Sequence, residues 1–250
     1  MHYYIITGTS KGLGEAIARS LLEDDHYLFC ISRQKNNQLI GAAYSKDVEL
    51  NYYIQDLQDH NGLQYTFKEI VNKIDMNQAK SITLINNAAM IHPIKRVESC
   101  TYTEIDQHLA VNLGAPMMLS SMFIDFTKKA DVRKRIINIT SGAANKPFYG
   151  WSNYCSGKAA LDMFTKCVAE EQKNTVNPVH ILGFSPGIMD TTMQQQIRNV
   201  EEENFIRVEE FKNFKEQELL RTPEFVAKQL ILLMQQDITS GSVVDIKELV

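Results

Sequence analysis

The chain has 250 residues, with 26 Lys and Arg against 30 Asp and Glu, a formal net charge of −4. That balance lacks the basic excess of a phosphate-backbone binder, so nucleic acid is not an expected partner. With 44% apolar and 22% charged residues, the composition is that of a globular protein long enough to bury a large core without staples. Four cysteines, Cys30, Cys100, Cys155 and Cys167, show no CxxC spacing. No metal site or dithiol is therefore expected, and the scattered thiols suit a reducing compartment. No secretory leader pattern opens the chain, and no uninterrupted apolar run approaches the ~18–20 residues of a membrane span. The expectation is a cytoplasmic protein with no membrane association.

Short, near-continuously apolar runs alternate with longer amphipathic stretches, as expected of strands buried on both faces and the helices that cover them. In chain order the pattern predicts a strand near Tyr3–Thr7, a helix near Leu13–Glu23, and strands near Tyr27–Ser32 and Leu50–Ile54. A helix near Gly62–Ile74, a strand near Ser81–Asn86, a helix near Tyr102–Thr127 and a strand near Arg135–Thr140 follow. The last elements are a helix near Ser152–Lys173, a strand near Val179–Ser185, a helix near Pro223–Gln235 and a strand near Val243–Ile246. This alternation predicts an α/β fold of right-handed βαβ units around a parallel sheet. No linker, repeat or low-complexity tract divides the chain, so residues 1–250 are expected to form a single domain. Its one excursion, about 190–218, contains the strand-poor, helix-permissive stretch QQQIRNVEEENFIRVEEFKNFKEQE (194–218). That stretch reads either as a solvated face or as a lid over a ligand.

The first strand runs into Gly8-Thr-Ser10-Lys11-Gly12-Leu13-Gly14 and then a helix. Glycines at these positions allow a tight turn and close backbone approach, and the helix N-terminus behind them suits a pyrophosphate. The string is not a P-loop, because Lys11 precedes Gly12 and no GK[ST] follows. The ribose end of a dinucleotide should lie near the end of the second strand, where a carboxylate would select a bare 2′-hydroxyl. The residues there are Ser32 and Arg33, with Lys11 in the turn; two cations and a hydroxyl suit a 2′-phosphate, which predicts NADPH/NADP+. Asp56-Leu57 closes the third strand, with Asp56 placed either to meet an adenine amine or to cap its own loop.

Tyr154-Cys-Ser-Gly-Lys158 sets a phenol and an ammonium four residues apart on one helix face. An unperturbed phenol has a pKa of about 10, and a nearby cation favours the phenolate. Such a pair can deliver a proton to a carbonyl oxygen as hydride reaches the carbon. Ser141, at the end of a predicted strand, offers a hydroxyl to the same oxygen. Asn112 lies in a helical pattern four residues before Pro116, which has no N–H to bond the Asn112 carbonyl; the helix should bend there.

Together these motifs resemble the short-chain dehydrogenase/reductase family over essentially the whole chain: TGTSKGLG (7–14), NNAA (86–89), Asn112, Ser141, Tyr154 with Lys158, and SPG (185–187). The resemblance implies a single-domain, Rossmann-type, doubly wound sheet of seven parallel strands. It implies a catalytic tetrad of Asn112, Ser141, Tyr154 and Lys158, with a water held by the Asn112 carbonyl and bridging to Lys158. Cofactor contacts are implied at Gly8, Ser10, Lys11, Gly12, Leu13, Gly14, Ser32, Arg33, Asp56, Leu57, Asn87, Ala88, Tyr154, Lys158, Pro186, Gly187, Ile188 and Thr191. Ala89 stands where the family more often has Gly. The family often forms homodimers through its two longest helices, here 102–127 and 152–173.

A narrower resemblance, in GWSNYCSGKAALDMF (150–164) and SPGIMDTTMQQQIR (185–198), is to the sepiapterin reductase branch, which includes bacterial enzymes that reduce benzil to (S)-benzoin. It implies a small-molecule carbonyl substrate, an α-diketone of benzil type first and a pterin second. A 3-ketoacyl thioester and a non-catalytic NADPH-sensing role remain as alternatives. Phe148, Tyr149, Trp151, Met189 and Met193 are apolar candidates for the substrate pocket. Trp151 reads equally as helix-start packing, Asp245 as a pterin anchor or an ordinary strand-end carboxylate, and His92 as a surface residue or a group at the pocket mouth.

Overall fold

A computed structural model describes residues 1–250. Its strands are β1 (His2–Thr7), β2 (His26–Ser32), β3 (Glu49–Ile54), β4 (Ser81–Asn86), β5 (Arg133–Ile139), β6 (His180–Ser185) and β7 (Val243–Asp245). Its helices are α1 (Gly12–Ser20), α2 (Asn37–Ser45), α3 (His60–Val71), α4 (Tyr102–Leu109), α5 (Ala115–Thr127), α6 (Ser152–Gln172), α7 (Thr192–Arg198), α8 (Val208–Glu216) and α9 (Pro223–Gln235). All seven strands form one parallel sheet in the order β3-β2-β1-β4-β5-β6-β7.

Parallel strands need crossovers, and the crossovers cover both faces. On one face, α1, α2 and α9 pack Ile17, Leu39 and Leu230 against Leu28, Ile137 and Phe184. On the other, α3, α5 and α6 pack Phe67, Phe123 and Val168 against Phe29, Leu84 and Ile136. Strands sandwiched this way must be apolar on both sides, which is why the strand-like runs lack the polar alternation of a half-exposed sheet. The order reverses between β1 and β4, and a ligand crevice opens at the carboxyl ends of strands at such a switch point.

Three elements depart from the expected pattern. Helix α2 was not expected; Asn36 caps it, its side chain accepting from the Leu39 N–H at 2.9 Å. The 190–218 excursion contains two helices, α7 and α8, rather than one polar stretch. The long helix expected at 102–127 is interrupted at Ala110–Gly114 by a π-helical turn. Contrary to the expected lack of span-like apolarity, Tyr102–Thr127 is long and apolar enough to cross a membrane, with mean hydropathy 1.4 over its best window. Here Ala115, Leu119 and Phe123 of that segment are fully buried against the sheet.

Candidate active site

The glycine turn closes against the exit of β4. A Cβ on Gly8 would stand 2.8 Å from Asn87 Nδ2 and 2.9 Å from the Ala88 Cα, and one on Gly14 would stand 2.3 Å from the Gly8 carbonyl oxygen. Gly8 and Gly12 have φ of +75° and +62°, the left-handed region that glycine occupies without strain. Thr7 Oγ1 accepts the N–H groups of Asn87 and Ala88, each at 3.0 Å, and Asn87 Nδ2 donates to the Thr7 carbonyl at 2.9 Å. The turn and the NNAA segment are thus one unit on the wall of a cleft of about 440 Å³.

Gly8, Ser10, Lys11, Gly12, Leu13, Ser32, Arg33, Asp56, Leu57, Asn87 and Ala88 all line that cleft. Lys11 and Arg33 are exposed, and neither is in an ion pair. Ser32 is less available than expected. Its Oγ donates to the Gln34 carbonyl at 2.8 Å and lies 2.6 Å from the Tyr52 hydroxyl, which itself reaches Gln34 O at 3.0 Å. A single hydroxyl proton is already satisfied by these partners, so the cations are the freer groups. Asp56 caps its own loop, Oδ1 accepting from the Gln58 N–H at 3.0 Å. A Cβ on Gly12 would meet only Thr191, at 3.6 Å, so the turn is open toward the cleft. Open turn, helix N-terminus and free cations fit a dinucleotide with an additional phosphate.

At the other end of the cleft, Tyr154 and Lys158 lie one turn apart on α6. They line the wall beside Ile139 and Thr140 and are 7% and 2% exposed. Lys158 Nζ donates to the Ile139 carbonyl at 2.8 Å and lies 5.9 Å from the centre of the Tyr154 ring. Burial pushes the Lys158 pKa down to about 8, with Asp162 one turn further on opposing. The same burial pushes Tyr154 up to about 12, with a hydrogen bond to Ser141 opposing. Lys158 does not offset that burial, its hydrogen bond going to a backbone carbonyl. The phenol is held as a protonated donor. Ser141 lies two residues beyond β5 and caps the short turn Gly142–Ala144, its Oγ accepting from the Ala143 N–H at 3.2 Å.

Asn112 is 1% exposed, in the π-turn. The missing N–H of Pro116 is accommodated by that wider turn. The Asn112 side chain is spent on the β4 loop: Oδ1 accepts from the Met90 N–H at 2.8 Å and Nδ2 donates to the Met90 carbonyl at 2.7 Å. Nδ2 also lies 2.9 Å from His108 Nε2.

Pro186, Met189, Thr191 and Met193 line the cleft. Gly187, at φ +72°, turns the chain between Pro186 and Met189, and the Ile188 carbonyl accepts from Arg221 N–H at 3.2 Å. Phe148, Tyr149 and Trp151 are not on the cleft wall, and Tyr149 is 40% exposed. Trp151 is 4% exposed, stacked on Phe205 at 4.7 Å and 13°, edge-on to Phe211 at 5.4 Å and to Tyr154 at 5.5 Å. It ties Tyr154 to the excursion instead of facing a ligand. Asp245 is also committed elsewhere: Oδ2 accepts from Ser185 Oγ at 2.9 Å and Oδ1 from the Lys247 N–H at 3.0 Å. His92 is exposed and lines the cleft. Sequence reading missed Tyr52, Met90, His108 and Asp162. The last two carried a signal, one helical turn from Asn112 and from Lys158. No group of three or more His, Cys, Asp or Glu is placed to hold a metal.

Glycine turn, switch-point cleft and buried Tyr–Lys pair on one parallel sheet define a dinucleotide-dependent oxidoreductase. A family model described as short chain dehydrogenase matches residues 2–202, and the chain belongs to that family. It is accordingly an oxidoreductase acting on carbonyl and hydroxyl groups of a small molecule with a nicotinamide cofactor. The chain is 43% identical over 249 residues to a benzil reductase ((S)-benzoin forming) of Bacillus cereus, covering 99% of this chain and 100% of that one. It is 41% identical over 248 residues to the enzyme of that name from Bacillus subtilis (strain 168), covering 99% of each. A sepiapterin reductase of Xenopus tropicalis is 30% identical over 199 residues, 76% of this chain and 74% of that protein. Among solved structures, the KRED1-Pglu enzyme superposes with a TM-score of 0.83 at 26% identity, covering 98% of this chain and 100% of that one. A Brucella melitensis 3-oxoacyl-[acyl-carrier protein] reductase, solved in complex with NAD, shares the fold with a TM-score of 0.78 at 20% identity, covering 97% of this chain and 94% of that one.

Proposed function

We propose that the protein is a single-domain, NADPH-dependent reductase of α-diketones, converting a benzil-type aromatic diketone to an (S)-benzoin-type hydroxyketone. The observation that carries the reading is the cleft itself: unpaired Lys11 and Arg33 at one end, and Tyr154 with Lys158 facing Met189 and Met193 at the other. The full-length similarity to benzil reductases supports the substrate class. When bound, the nicotinamide supplies hydride to the carbonyl carbon. Tyr154 donates its phenolic proton to the carbonyl oxygen. Lys158, cationic below about pH 8, stabilises the tyrosinate left behind and holds the ribose hydroxyls. Ser141 donates to the same oxygen and orients it. Asn112 keeps the β4 loop in place through Met90 and presents its backbone carbonyl to a water.

The test is one assay with benzil, sepiapterin and an acetoacetyl thioester, each with NADPH and with NADH. The reading expects benzil to give the highest kcat/KM, and NADPH to exceed NADH by at least about tenfold, the effect of ~1.4 kcal/mol from charged phosphate contacts. An equal or reversed cofactor ratio overturns the NADPH assignment. Preference for the thioester or for sepiapterin overturns the diketone assignment. The resemblance to sepiapterin reductases makes a pterin the second reading, but Asp245 is bonded to Ser185 rather than open to a pterin edge.

A further inference from the structure

His108 lies in α4 just before the π-turn and is completely buried. A core histidine needs partners for both ring nitrogens, and here the partners define its state. The Met90 N–H must face Asn112 Oδ1, at 2.8 Å, so the Asn112 amide hydrogens face the Met90 carbonyl at 2.7 Å and His108 Nε2 at 2.9 Å. Nε2 is therefore an acceptor. The proton must then sit on Nδ1, which donates to the His92 carbonyl at 2.7 Å, an atom that can only accept. The two assignments agree and give a neutral, Nδ1-protonated ring. Protonation would set an Nε2–H against the Asn112 amide hydrogens; burial opposes it most and the Lys158 charge adds to that, against the His92 and Asn153 carbonyls, which favour it, and the net pKa lies below the usual 6.5.

The ring also touches α6. It meets Tyr154 edge to face, with centroids 6.2 Å apart at 78°, and lies 3.5 Å from where a Cβ on Gly157 would stand. One imidazole thus joins the wall of the cleft at Met90 and His92, the π-turn at Asn112 and the helix that carries the phenol.

We propose that His108 is a positioning residue for the reaction, a neutral imidazole whose Nε2 lone pair holds the Asn112 carboxamide while its Nδ1–H holds the His92 loop. This rests on the reductase reading, because its kinetic consequences need turnover. The two bonds act on different steps. The Asn112 bond fixes the π-turn beside Tyr154, so its loss misplaces the proton-transfer apparatus and lowers kcat. The His92 bond fixes a stretch of substrate-facing wall, so its loss raises KM for the carbonyl substrate.

Two near-isosteric variants separate the bonds. In His108→Gln, the side-chain oxygen reaches the Nε2 position and accepts from Asn112, while the donor to His92 is lost. In His108→Asn, the amide nitrogen takes the Nδ1 position and donates to His92, while the acceptor for Asn112 is lost. The expectation is that His108→Gln keeps kcat within about threefold with a raised KM, whereas His108→Asn loses kcat on the order of 10²-fold, the scale of an ångström misplacement near the reacting atoms. Equal effects on kcat in the two variants, large or small, overturn the proposal. Imidazole ¹⁵N NMR of the wild-type protein at pH 7 gives an activity-independent readout. A bare Nε2 with a protonated Nδ1 supports the lock, and the opposite tautomer or a doubly protonated ring overturns it. Inactivity of the wild type toward every carbonyl in the panel would instead defeat the reductase reading, with the NMR result still deciding the lock.

Discussion

Tyr154 and Arg33 allow the sharpest residue-scale predictions. Burial holds the Tyr154 phenol up at about 12, so removing the hydroxyl takes away the proton donor without freeing a charge. Tyr154→Phe should bind NADPH with a wild-type dissociation constant by fluorescence titration and lose about 10²–10⁴-fold in kcat, the range of a positioned general acid. A near-normal kcat would rule Tyr154 out as the acid. Arg33 has no ion-pair partner to leave stranded, so Arg33→Ala should weaken NADPH about 10–100-fold, the cost of a charge-assisted phosphate contact, and leave NADH little changed. Parallel weakening of both cofactors would place the 2′-phosphate elsewhere. These residues were legible because their chemistry is local: a phenol and an ammonium one helical turn apart, or a cation beside a glycine turn. The hydrogen bonds of Ser32 and Asp245 were not legible because their partners, Tyr52 twenty residues away and Ser185 sixty residues away, come together only through strand pairing, which no local pattern displays.

The excursion through α7 and α8 decides how the catalytic helix begins. Its polar sequence hides an apolar spine: Ile197, Phe205, Val208 and Phe211 are all buried, in a cluster with Trp151 and Tyr154. The intervals among those four are eight, three and three, so only the last three carry a helical period, and Phe205 itself precedes α8. That is why the composition read as a solvated face or a lid, while the strands, buried on both sides, were found to within about two residues. Gly150, at φ +80°, lets the chain pass beneath Asn204, whose carbonyl oxygen would lie 2.0 Å from any Cβ there. Phe205→Ala should remove the flat stacking partner of Trp151 and cost about 3–5 kcal/mol in chemical denaturation, as for other fully buried aromatics. Because Trp151 is the only tryptophan, its emission reports the same event, moving to the red as the ring meets water. Unchanged emission together with unchanged stability would mean that the excursion does not hold the start of α6.

At the scale of the whole molecule, the sheet buries titratable groups that the site does not all use, and these set the response to acid. His108 is fully buried, and His180 at the other end of the sheet is partly so, its Nε2 bonded to the Ile238 carbonyl at 2.5 Å. Burial pushes both pKa values below the usual 6.5, with backbone carbonyls opposing in each case. A depressed histidine pKa means that the unfolded chain binds the proton first. The stabilisation is therefore complete above pH 6.5 and is lost as pH falls toward the folded values. His2 is lowered by burial in the same way; each such histidine contributes a slope of at most about 1.4 kcal/mol per pH unit, so the three give at most about 4. The carboxylates whose pKa is lowered, Glu104 at about 2 and Asp25, are held down chiefly by hydrogen bonds to Lys95 and Lys80. They act only below their ordinary range near pH 4, whereas Asp162, raised by burial, acts above that range and in the opposite sense, stability falling as pH rises through its folded value. A fall in stability from pH 6.5 to 5 thus comes from the histidines, because Asp162 acts in the other direction. Urea unfolding at pH 7.5, 6.5 and 5.5 should show a plateau followed by a fall, and His180→Gln should flatten the fall by removing one of its three proton sites. A free energy of unfolding independent of pH across that interval would show that none of the three rings is held neutral by the fold.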